Sequence, residues 1–121
     1  MSRNILDAAR IHPAALVQIN ANHHQLVSEV QAAIAANHVV VVGMGLNPFP
    51  AKARKILDRV GTPYTYLSYG NYFSQWRPRL ALKLWSGWPT FPMIFVKGTL
   101  IGGANDLQKL VDSGEFARLV A

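Results

Sequence analysis

The sequence predicts an α/β domain: a four-stranded mixed sheet flanked by helices, with an N-terminal helical extension. Three observations carry this. "VVVV" at 39–42 is a continuous β-branched run, the signature of a strand buried on both faces. A helical stretch separates it from a second apolar strand, "YTYLS" at 64–68, so those two strands run parallel through a right-handed crossover. "MIFV" (93–96) and "TLI" (99–101) are separated only by Lys97 and Gly98, which makes an antiparallel hairpin. The order α-β-α-β-α-β-β-α over 121 residues fits one domain with helices on both sheet faces.

Taken in order, residues 1–22 form an extension. Its scattered apolar positions (Ile5, Leu6, Ile11, Leu16, Val17, Ile19) are too many for a free tail, and Pro13 opens a short helix at its first turn. The domain proper is 23–121. In 23–36, Leu26, Val30 and Ile34 recur at i, i+4, i+8 with Val27 and Ala33 beside them, and Asn37 is the stop. Residues 51–61 place Ala53, Ile56, Leu57 and Val60 on one side and end at Gly61. Residues 76–85 present Trp76, Leu80 and Leu84 at i, i+4, i+8, with Pro78 in the first turn, where its missing N–H does no harm. A last helix starts near Asn105 and runs through Phe116, with Leu107, Leu110 and Val111 as its apolar side.

Composition narrows the function. Half the residues are hydrophobic and 15% charged, so disorder is not expected. No apolar run approaches the ~20 residues of a membrane span, and the N-terminus lacks an apolar signal core, so a cytoplasmic protein is the default. The net charge of +6 favours anionic partners: nucleic acid, phosphates or carboxylate ligands. An ordinary basic surface fits equally well, because no run of positive residues exceeds two. His12, His23, His24 and His38 make no metal-ligand pattern with carboxylates. There is no cysteine, hence no disulfide, thiolate nucleophile or thiolate-ligated metal.

"GWPTFPMIFVKGTLIGGANDLQKLVDSGEF" (87–116) resembles the C-terminal half of a glutaredoxin, especially the monothiol type, with its Trp-Pro-Thr-hydrophobic-Pro stretch, Lys-Gly turn, Gly-Gly pair and acidic helix start. The resemblance spans residues 23–117 and implies a thioredoxin-like fold. It places the family's redox motif, Cys-Pro-Tyr-Cys or Cys-Gly-Phe-Ser, on Asn47, Pro48, Phe49 and Pro50. The family's usual lysine three residues earlier is Met44.

Thiol–disulfide exchange needs a thiolate, and an asparagine amide cannot attack sulfur or replace the thiolate of a glutathione-supported iron–sulfur cluster. The expectation is a non-catalytic chain with no required cofactor, no metal and no cluster. Asn47 is instead a good N-cap, Pro48 suits N1, and Pro50 at N3 forfeits only an orphan N–H. The resemblance further implies a glutathione groove. Thr90-Phe91-Pro92, with Pro92 cis, would pair with the cysteinyl part. Arg79 would meet the glycine carboxylate. Gly102 and Gly103 would allow close backbone approach, and Ala104, Asn105 and Asp106 would hold the γ-glutamyl group at a helix start. Each has a plainer role: Pro92 and the glycines in the turn, Arg79 as surface charge, Asp106 on its helix dipole. A protein partner could use the groove and the aromatic segment Tyr69–Trp76, with Tyr72 and Phe73 between. Local packing of those rings is the plainer account. Single-stranded nucleic acid on them is the less favoured partner, and a true redox role is disfavoured by the cysteine count.

Overall fold

A computed structural model describes residues 4–71 and 74–121. A 3-10 turn at Ala8–Arg10 leads into α1 (Pro13–Ala21) and α2 (His24–Ala36). Then come β1 (Val39–Gly43), α3 (Pro48–Arg59), β2 (Thr65–Ser68), α4 (Trp76–Ser86), β3 (Met93–Val96), β4 (Thr99–Gly102), α5 (Ala104–Asp112) and α6 (Glu115–Val120). The sheet order is β2-β1-β3-β4. β1 is parallel to β2 and antiparallel to β3, and β3 is antiparallel to β4.

All four valines of β1 are buried, two on each face. Val39 and Val41 meet Ala53, Ile56 and Leu57 of α3 and Leu107 of α5, with Phe116 of α6. Val40 and Val42 meet Val30 of α2 and Leu82 of α4. Because successive strand residues point to opposite faces, one β-branched run anchors both helical layers. Each buried valine contributes roughly 1.5–3 kcal/mol of transfer free energy.

Local signals hold at several ends. Pro13 stands at the start of α1, where His12 Nδ1 accepts from Ala14 N at 3.1 Å. Asn37 ends α2, its Nδ2 donating to Ala33 O at 2.9 Å. Gly61, at φ 72°, closes α3 as Thr62 N donates to Leu57 O at 3.0 Å. α3 begins at Pro48, with Asn47 as its N-cap as the sequence predicts, and Val60 at its far end is exposed rather than on the packed side.

Two expectations are corrected. On α4 the stripe Trp76, Leu80, Leu84 faces outward (58%, 43% and 66% exposed), and Arg79, Ala81 and Leu82 are buried. The helix carries two apolar faces, and periodicity alone cannot rank them. The inner one wins because Leu82 joins Val30, Met93 and Phe95, and Trp85 stacks obliquely on Phe95 at 6.1 Å. The single C-terminal helix is also two. Gly114, at φ 81°, breaks it after Ser113, and the turn lets Phe116 swing into the core beside Leu107.

Candidate ligand groove

Three chain segments meet at the C-terminal end of β1: the start of α3, the loop into β3, and the start of α5. Gly43 ends β1 where a Cβ would lie 2.9 Å from both Pro50 Cβ and Tyr66 Oη, so only glycine lets α3 lie this close. The chain turns through Leu46, at φ 61° and exposed, into Asn47. The Asn47 side chain works in two directions. Its Oδ1 accepts from Phe49 N at 2.9 Å, capping α3. Its Nδ2 donates across the groove to Phe91 O at 3.4 Å, a long and therefore weak bond.

The Phe91–Pro92 peptide is cis, as the resemblance implies, and Asn47 faces it. Phe91 and Pro92 are buried, whereas Thr90 is exposed. A cavity of about 300 Å³ lies alongside, lined by Phe49, Trp88, Thr90, Pro92, Asn105 and Asp106, with Phe91, Gly103 and Ala104 completing the wall. Gly102 adopts φ 114°, and a Cβ there would stand 2.6 Å from Asp106 Oδ2. That carboxylate accepts from Gly103 N at 2.9 Å, so Asp106 braces its own helix start. Asn105 Oδ1 accepts from Lys52 Nζ at 2.9 Å, which puts a cation at the rim.

Thr90, Phe91, Pro92, Gly103, Asn105 and Asp106 thus come together, with Gly102 behind Asp106. Arg79 does not join them. It is buried on α4, and its Nη1 donates to the carbonyls of Tyr69 and Ser74; a buried guanidinium needs acceptors, and the turn after β2 supplies them. Met44, at the family's lysine position, is buried with Val42 and Phe91. In the aromatic segment, Tyr69 is part-buried and donates to Glu29 Oε1 at 3.2 Å. Burial, and then the Glu29 charge, push its phenol up to about 12. Tyr72 and Phe73 lie outside the described residues.

Two further residues of this region have roles that sequence spacing does not signal. Lys52 reaches the rim only because α3 packs on α5. Trp88 sits within the resembling stretch, and its Nε1 is buried without a hydrogen-bond partner among the described residues. No cluster of three or more metal-ligating side chains occurs among the described residues, and none of their helices is long and apolar enough to cross a membrane.

A parallel-then-antiparallel four-stranded sheet, with a cis-proline loop facing the first strand's helix start, defines a thioredoxin-like domain. The glutaredoxin family model matches residues 47–101. A glutaredoxin-like protein of Dictyostelium discoideum is 47% identical over 96 residues, covering 79% of this chain and 78% of that protein. A protein described as a monothiol glutaredoxin from Rickettsia felis is 35% identical over 72 residues, covering 60% and 66%. The crystal structure of a buckwheat glutaredoxin–glutathione complex superposes with a TM-score of 0.68 at 20% identity, covering 80% of this chain and 88% of that one. The chain belongs to the glutaredoxin family.

Proposed function

We propose that this chain is a non-catalytic member of its family, a binding domain whose groove takes glutathione or a similar small anionic peptide. The observation that carries the reading is the groove itself: a cis-proline loop and a helix start converge on a 300 Å³ cavity, with Asn47 where the attacking sulfur would stand. The amide supplies neither a nucleophile nor a thiolate ligand. The residues therefore do not fit an iron–sulfur cluster held through cysteine, and no step runs through one. What remains suits carboxylates. The first N–H groups of α5 have no acceptor within the helix, at its positive dipole end; Asp106 takes only the N–H of Gly103 before them, and Lys52 adds a charge at the rim. Glutathione in the buckwheat relative supports the ligand class.

Exposed Leu46 and Phe49 flank Asn47, which favours a second reading: an apolar rim for the extended segment of a protein partner.

Calorimetric titration with reduced glutathione separates the two. The first reading expects saturable heat at millimolar ligand or below; no heat at that concentration sinks it and leaves the protein segment.

A further inference from the structure

The outer face of α4 carries an exposed apolar stripe, Trp76, Leu80 and Leu84, none of which lines the groove. Trp76, Leu80 and Leu84 stand in one line about 12 Å long, four residues and about 6 Å apart. At about 100° per residue, Arg77 and Lys83 fall on opposite sides of that line, and the Lys83 ammonium lies 5.7 Å from the ring centroid of Phe91. The Arg77 guanidinium stands 5.2 Å from the Trp76 ring centroid, at the head of the stripe. At the other end, the exposed Leu84 lies on the lining of a cavity of about 510 Å³ between α1, α2 and α4, together with Ile19, Val27 and Trp85. Gln18, Asn20, Asn22 and His24 supply polar lining there, and no carboxylate lines the cavity. Neither α1 nor α4 contains an acidic residue.

Charge selects the occupant. A second copy of this chain, itself at +6, would set Arg77 and Lys83 against their own likes. A bilayer surface would gain only about 1 kcal/mol from each cation and would have to cover a concave, amide-lined cavity. A helix with apolar side chains at i, i+4 and i+7 fits both the stripe and the cavity, in the way helices lie in grooves. We propose that this face binds an acidic amphipathic helix of a partner protein, its carboxylates meeting Arg77 and Lys83 and one apolar side chain entering the cavity beside Leu84 and Ile19.

The test uses the full chain labelled with ¹⁵N and two synthetic helical 15-residue peptides. Both carry leucine at i, i+4 and i+7; one is flanked by glutamates, the other by lysines. The proposal expects saturable shifts on the outer face of α4 and at Ile19. It expects affinity for the acidic peptide to exceed that for the basic one by roughly ten-fold or more, to fall with salt, and to fall by a similar factor in Leu80→Ser/Leu84→Ser. Both leucines are exposed, so thermal melting should show that variant still folded. Equal binding of both peptides, no saturation, or shifts elsewhere would overturn it. So would concentration-dependent self-association, or binding to phosphatidylglycerol vesicles, if the same variant abolishes either.

Discussion

Asn47 does two jobs with one amide, and both can be separated by mutation. Its Oδ1 caps α3, and its Nδ2 donates weakly to Phe91 O, within the stretch that the family resemblance pairs with the ligand. Asn47→Ala should cost about 1 kcal/mol of stability, read by chemical denaturation. It should also free that carbonyl and tighten glutathione binding in the calorimeter. A variant that loses stability and binding together would show that the amide helps the ligand rather than competing with it.

Tyr69 offers a titration at the same scale. Its phenol, near 12, stays protonated in the fold while the unfolded chain sheds that proton near the ordinary tyrosine value of about 10. The folded state therefore binds more protons between those values. The stabilisation is intact below pH 10 and falls as pH rises through that window. Glu29→Gln removes the charge but not the burial, so it should lower the Tyr69 midpoint only part of the way. A difference spectrum against Tyr69→Phe isolates the signal.

Among the elements, α4 is where pattern and packing part. Trp76, Leu80 and Leu84 are as periodic as Ala81, Leu82 and Trp85, and only the partners on α2 and β3 decide which set turns inward. Leu82→Ala should cost about 2–5 kcal/mol, the range for a buried leucine. Leu84→Ala should stay within about 0.5 kcal/mol, as for an exposed site. Equal costs in urea melts would mean the helix is rotated. The break between α5 and α6 has a similar origin. Leu107 and Phe116 both belong to the core, and a continuous helix could not deliver both; Gly114 in the left-handed region allows the turn. Gly102→Ala should weaken α5 by more than a simple helix-propensity change, because its φ of 114° disfavours a side chain and the added Cβ would displace the Asp106 brace.

Over the whole molecule, what could be read in advance was local. The buried valine run, the Lys97-Gly98 turn, the Asn47 cap and the cis Phe91–Pro92 bond each depend on residues adjacent in sequence, or on a motif whose geometry travels with the family. What could not be read depends on contacts between distant segments. Lys52 meets Asn105 across 53 positions. Arg79 turns away from the groove because the carbonyls of Tyr69 and Ser74 accept its guanidinium. Neither has a signature in spacing. The same distinction bears on function: the lost thiol was legible in a single letter, while the persistence of the groove required its three segments to be brought together.

On the proposed reading, this groove still binds although its nucleophile is gone. The most direct measurement is a titration of reduced glutathione onto the ¹⁵N-labelled chain, following amide shifts residue by residue. A groove that binds should give saturable shifts confined to Phe49, Thr90, Phe91 and Gly103–Asp106, around the cavity those residues line. An unchanged spectrum at millimolar glutathione, or shifts centred on another face, would contradict it.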